Sequence, residues 1–239
     1  MELNPNPGKN LIIEVDGKKF ARYPVKTKLI TPEDKDISLI AKEYVALHLF
    51  PKDIVFISEK AVSVTQGRSY PKEKIVASKM AKFLSSFVTK TPIGIGLGSP
   101  ETMQLAIEEV GLVRILLASC FGYFFKIFNI KGVFYIIAGS KVRSIDGAVE
   151  YAIPPYNTYV SKGPIMANEV AEKISKELNT PVAIVDANDF GVNILGFYGG
   201  TDTSISLSAS KKLIAKIIKD NPLGQSNEQT PMGIIREIF

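Results

Sequence analysis

Asp186 and Asp189 bracket Ala187 and Asn188 just after the apolar run Pro-Val-Ala-Ile-Val at 181–185. A carboxylate where a buried strand reaches its sheet rim can meet solvent while the core fixes its backbone. Two aspartates three apart, with an amide between them, supply hard oxygen ligands of the kind magnesium and manganese take. The same residues also make an Asx-type turn between two strands, so both readings stand. The polar stretch 221–231 offers glycine, amides and hydroxyls that can hydrogen-bond a nucleotide or form a solvated turn. Gly94, Gly96 and Gly98 precede Ser99-Pro100-Glu101. Such a stretch either lets backbone N–H groups approach an anion at a helix start or simply leads flexibly into a capped helix. Its spacing is neither the dinucleotide fingerprint nor a P-loop. Glu59, Lys60 and Arg68 surround a strand end and a glycine turn, as site residues or as ordinary surface charges.

Other reactive side chains point away from familiar catalysis. His48 is the single histidine, which excludes a multi-histidine metal centre, and it reads as structural. Cys120 is the single cysteine, so no internal disulfide forms; its apolar neighbours predict a buried, inert thiol. No nucleophile motif accompanies either residue.

These residues need a scaffold, and the pattern supplies one. An Asp16-Gly17 turn predicts a hairpin over 11–25. Thr31-Pro32-Glu33-Asp34 reads as a helix start, followed by helical spacing from Ile37 to His48. Residues 53–58 read as a buried strand, with Glu59 and Lys60 where it meets the surface. Helices are expected over 72–88, 100–110, 167–178 and 209–219, and strands over 132–138, 181–185, 192–198 and 232–236, the last a short closing strand. Residues 151–164, rich in proline and tyrosine, read as irregular. Strands and helices alternate irregularly, which predicts an α+β fold with mixed sheets and packed helices rather than a doubly wound sheet.

Composition narrows the partners. At 239 residues and 46% hydrophobic, the chain can build one large domain or two small lobes. The net charge of +5 contains no run of five like charges, which suits anionic small molecules. No basic stripe with interleaved aromatics supports nucleic acid. The apolar run 115–125 falls short of the roughly 20 residues a spanning helix needs, so no membrane partner is expected. Without a secretory leader at 1–8, a cytoplasmic location is expected.

Several segments, in order along the chain, resemble the gamma-glutamyl ligase family of coenzyme F-420 biosynthesis. They are Lys28-Leu29-Ile30-Thr31-Pro32-Glu33-Asp34; the strand and turn from Asp53 to Gly67-Arg68; the stretch from Asp186 to Gly196; and the glycine-bearing loop from Gly224 leading to Arg236. The resemblance implies a GTP- and divalent-metal-dependent acid–amine ligase, using Mg2+ or Mn2+. It would join L-glutamate to a deazaflavin coenzyme precursor through an acyl phosphate. It also implies one α+β domain over 1–239, or two intertwined lobes, assembled as a homodimer. Leu29, Ile30, Glu59, Lys60 and Asn157 would contact the nucleotide, with Gly224, Gln225, Ser226, Asn227, Glu228, Gln229, Thr230 and Pro231 as its loop. Asp186 would bind metal, with Asp146 or Pro154 at the family's second metal position. Val64 stands where the family's turn carries lysine, and Ala187 where threonine follows the metal aspartate. The alternative is a divergent relative that binds a nucleotide or phosphorylated ligand without the ligase activity.

Overall fold

The Asp16-Gly17 turn closes as its sequence predicts, with both residues at positive φ (52° and 78°). It joins β1 (Ile12–Val15) to β2 (Lys18–Val25) in the computed structural model. The structure describes residues 3–88, 96–130, 132–188, 191–200, 207–225 and 227–238. Along the chain follow α1 (Ile37–Val45), β3 (Ile54–Ser58), α2 (Glu59–Thr65) and β4 (Ser69–Pro71). Next come α3 (Lys79–Ser85), α4 (Pro100–Val110), α5 (Leu112–Ile127), α6 (Val133–Ala138), α7 (Ser140–Arg143) and β5 (Tyr159–Ser161). The chain ends with α8 (Ala167–Leu178), β6 (Val182–Asn188), β7 (Gly191–Tyr198), α9 (Leu207–Ile217) and β8 (Met232–Ile238). Mixed sheets with packed helices make this the α+β fold the pattern predicts.

The chain divides into two units, one formed by Met1–Gln66 with Pro164–Phe239 and the other by Gly67–Gly163. The first holds a six-stranded sheet in the order β1-β2-β8-β3-β6-β7. β3 and β6 run parallel, and the other neighbours are antiparallel. Phe56, Ala183 and Val185 pack on one face with Ile214 and Ile217 of α9 and with Ile218. Alternation along the strands sends Ile57, Val182 and Ile184 to the other face, where α8 contacts β6 and β7, and α1 contacts α8. Each fully buried aliphatic or aromatic side chain stabilises by about 1.5–3 kcal/mol. β8 is no closing strand; it pairs on both sides and lies inside the sheet.

Two ion pairs pin this sheet. Arg236 donates to Asp53 through Nε (2.9 Å) and Nη2 (2.7 Å), and stacks 4.1 Å from the Phe50 ring centroid. Buried Arg22 grips Asp220 with both terminal nitrogens and also bonds the carbonyl of Ile217 at 3.0 Å. The Arg22 guanidinium outweighs the burial that would raise the Asp220 carboxyl, and holds it below the usual carboxylate range.

In the second unit, Ser99 caps α4 in a reciprocal box with Thr102. The helix expected over 72–88 shrinks to α3, because Ser78 caps it late. Residues 132–138 form α6 rather than a strand. Gly132 and Gly139, at φ 85° and 96°, bracket it, and Phe134 packs over Gly122 of α5, so tertiary packing overrides the aromatic and branched strand preference. α5 is largely exposed: only its Ile115 and Ala118 are fully buried, and Cys120 is exposed rather than buried as its apolar neighbours predict. Arg68 pairs with Glu109 at 2.9 Å, and Lys162 approaches the same carboxylate at 3.5 Å.

Candidate functional site

Four chain segments of the first unit arrive at one rim of its sheet. β8 begins at Met232, which pairs with Val25 at the end of β2 and with Ile57 near the end of β3. β3 ends at Ser58, beside Val185 of β6. Residues 26–30, 58–60, 186 and 224–231 therefore follow or flank strand ends on the same edge.

Hydrogen bonds tie these segments together. The Thr27 N–H donates to the Gln229 carbonyl at 3.1 Å, and Gln229 Nε2 donates back to the Thr27 carbonyl at 3.0 Å. The Ser58 N–H donates to the Pro231 carbonyl at 2.8 Å. The polar loop is thus held between the segment bearing Leu29 and Ile30 and the residue before Glu59. It is also braced inside. Asn221, 2% exposed, bonds the Gly224 carbonyl at 2.9 Å, and the Thr230 hydroxyl donates to the Leu223 carbonyl at 2.8 Å. Asn6 Nδ2 reaches Thr230 Oγ1 at 2.8 Å and the Pro222 carbonyl at 3.0 Å. This is an ordered turn with a buried foot, and Thr230 spends its hydroxyl within it. Gln225, Glu228 and Pro231 are half-buried and Asn227 is exposed, while Ser226 lies outside the described residues.

Thr31-Pro32-Glu33-Asp34 does not start a helix. The Asp34 carboxylate accepts the Thr31 N–H at 2.8 Å and closes a turn, and Asp36 instead caps α1. Turn and helix start draw on the same residue types, which is why the pattern misled. Lys28 donates to Asp34 at 2.5 Å; that bond raises the lysine pKa and lowers that of the aspartate. Leu29 is half-buried and Ile30 buried.

Glu59 and Lys60 open α2. Lys60 is exposed, but Glu59 is 5% exposed, a correction to its expected surface position. A carboxylate in a first helical turn faces the positive dipole end, which favours its charge. Val64 lies one turn beyond Lys60 on the same helix and is 6% exposed.

Asp186 lies inside β6 rather than beyond it. The β6–β7 ladder continues to Asn188, with Asp186 opposite Asn193, one residue past the end of the β3 pairing. A bulge between Ile184 and Val185 shifts the register just before it, a device that re-aims side chains at sheet rims. Asp186 is half-buried; Ala187 packs against the α9-side core, so alternation turns Asp186 to the opposite face. Asp189 lies outside the described residues.

Asp146 and Asn157 belong to the second unit. Asp146 forms an isolated bridge with Ser161 through paired backbone bonds of 2.9 Å, and Asn157 sits in a short turn of 3-10 helix. Gly94 lies outside the described residues. His48 uses its backbone carbonyl to accept from Arg236 at 2.8 Å.

No group of three or more His, Cys, Asp or Glu side chains able to hold a metal occurs among the described residues. One half-buried carboxylate at a polar rim does fit magnesium, which usually takes one or two carboxylates and fills its other positions with water and substrate phosphates. Sequence reasoning missed Thr27, Ser58 and Asn6. Their contributions are backbone groups, or bonds reaching across more than 200 positions, and no local spacing announces them.

The chain matches the F420-0:Gamma-glutamyl ligase family model over residues 24–237, and it belongs to that family. Among curated proteins, none matches it.

Proposed function

We propose that this member of the gamma-glutamyl ligase family is a GTP- and metal-dependent acid–amine ligase whose nucleotide site is the sheet rim of the first unit. The observation that carries the reading is the junction of residues 27–30, 58–60 and 229–231 through three backbone-anchored hydrogen bonds. A braced polar turn beside a strand end, with Asn227 exposed on it, suits a nucleotide's donors and acceptors. Half-buried Leu29 offers apolar contact to a base.

The reaction joins two negatively charged partners. A carboxylate oxygen of the deazaflavin precursor attacks the γ-phosphorus, the bond from that phosphorus to the bridging oxygen breaks, and GDP leaves. The L-glutamate amine then attacks the acyl carbon, loses a proton to solvent or base, and phosphate departs with the bonding pair. Such chemistry depends on positioning and charge neutralisation more than on a protein nucleophile. Asp186 would hold the metal, and the metal supplies positive charge to the phosphates. A homodimer is part of the same proposal.

Thermal melting with GTP, ATP and magnesium or manganese tests the reading. GTP with metal at about 100 times its Kd should stabilise by about 2.7 kcal/mol. Asp186→Asn should abolish metal-dependent turnover of GTP, glutamate and the deazaflavin acceptor while leaving the apo melting point near that of the parent. An Asn variant with full metal-dependent turnover removes Asp186 from the mechanism. Nucleotide binding without consumption across acid and amine panels would instead favour the non-ligase relative, which Val64 and Ala187 motivate.

A further inference from the structure

α5 is apolar on both sides, yet only one side is covered. Ile115 and Ala118 are fully buried, and a Cβ at Gly122 would sit 3.0 Å from Phe134 Cβ. On the other side Val113, Leu117, Phe121, Phe124 and Phe128 follow helical spacing and are 48–72% exposed. A contiguous apolar stripe in water signals a surface that something covers.

Charge identifies what covers it. Residues 67–163 contain 12 of the 29 basic and 6 of the 24 acidic residues, so this unit carries +6 and the rest of the chain −1. Between Glu109 and Asp146 the sequence has five cations (Arg114, Lys126, Lys131, Lys141, Arg143) and no carboxylate. A second copy docking through the same stripe would oppose like charge with like, since a two-fold contact pairs a patch with itself. Lys141 already pairs with Glu109 at 3.8 Å, whereas Arg114, Lys126 and Arg143 are exposed, and an anionic lipid surface would neutralise these and accept the aromatic stripe.

We propose that α5 lies in the plane of an anionic bilayer interface, with the Val113–Phe128 stripe in the headgroup–acyl boundary. No single described helix is long and apolar enough to cross a membrane, and α4 and α5 meet at 116°, so they do not form one straight span. The expectation of no membrane partner rests on span length alone, a criterion an in-plane helix does not have to meet. The proposal is independent of the ligase reading.

Co-sedimentation of the full chain with vesicles tests it, using phosphatidylcholine alone or mixed about three to one with phosphatidylglycerol. The protein should pellet with the anionic vesicles, stay in solution with neutral ones, and be released by about 0.5 M salt. Phe121→Ser/Phe124→Ser/Phe128→Ser should weaken partitioning at least about tenfold, with its fold checked by circular dichroism. If that variant misfolds, Lys126→Glu and Phe124→Trp decide. The first should weaken anionic binding, and the second, the only tryptophan in a chain that has none, should shift its emission to the blue on anionic vesicles alone. Protein that stays in solution with anionic vesicles overturns the proposal, as does undiminished binding of a folded triple-serine variant. A dimer in sedimentation velocity that the serines dissolve, without vesicle binding, overturns it in favour of a second copy.

Discussion

Gly196→Ala tests how the rim is positioned, because Gly196 lies opposite Ile184 at the bulge just before Asp186. A methyl group there would stand 2.2 Å from the Ala167 carbonyl oxygen, 2.3 Å from its carbon and 2.8 Å from the Asn168 nitrogen. All three are backbone atoms at the start of α8, so no rotamer change relieves them, and α8 must retreat by about 1 Å to restore van der Waals contact. Overpacking of this kind costs about 1–3 kcal/mol. The retreat also stretches the 3.1 Å bond from the Phe197 N–H to Asn168 Oδ1, which contributes about 1 kcal/mol. Together the loss is about 2–4 kcal/mol, or about 5–15 °C in melting temperature for a chain of this size. Without the clash, alanine in place of strand glycine would stabilise by about 0.4–1 kcal/mol, so the sign alone discriminates. Thermal melting by circular dichroism reads the total, and hydrogen exchange should quicken over 167–198 while 67–163 keep their protection. A melting point equal to or above that of the parent refutes the close-approach reasoning.

Arg236→Met strands the Asp53 carboxylate, which is 1% exposed, and should cost about 3–5 kcal/mol in urea unfolding. Adding Asp53→Asn to it should recover part of that loss, and a double variant no more stable than the single one argues against the pair. Glu109 gives a pH signature in the second unit. Burial pushes its carboxyl up, but Arg68, with Lys162 and Lys141, outweighs burial and holds it below its ordinary value, about 4.3. Stability from that shift is complete above the ordinary value and drains as pH falls through the lower folded value. Acid unfolding followed by hydrogen exchange over 67–163 should therefore steepen below about pH 4 in the parent but not in Glu109→Gln; equal slopes count against it.

Much of the first unit was legible because its signals are local and agree with one another. The Asp16-Gly17 hairpin, α8 and the buried strand before α2 each declare themselves within a dozen residues. The rim was legible only as a list of segments. Their meeting depends on β3 and β6 running parallel and on β8 entering the sheet between β2 and β3, pairings that span most of the chain. Sequence read Glu59 as a surface charge because glutamate is seldom buried; the turn of chain that buries it is tertiary. It read 132–138 as a strand because Val, Phe, Tyr and Ile favour strands, whereas the available partner was the helix bearing Gly122. The exposed aromatic side of α5 was hidden by the same habit, which takes apolar runs to be buried.

A rim that receives phosphates must offer positive charge. Val64 removes one source, since at 6% exposure it packs an apolar side chain into the fold. Lys28 is engaged by Asp34, although that pair is partly exposed and screened by solvent, so a phosphate competes for it. Lys60 is exposed one helical turn before Val64, and residues four apart on a helix share a side. On the proposed reading, Lys60 is therefore the cation best placed to stand in for a lysine at position 64. Lys60→Ala should weaken GTP–metal binding about ten- to a hundredfold, the loss expected for a phosphate-contacting charge-assisted bond worth about 1.5–3 kcal/mol. The apo melting point should move little, because the side chain is exposed. Isothermal titration of both proteins with GTP and magnesium decides the matter. Equal affinities would mean that the nucleotide's charge is met elsewhere, and the rim would lose its main electrostatic support.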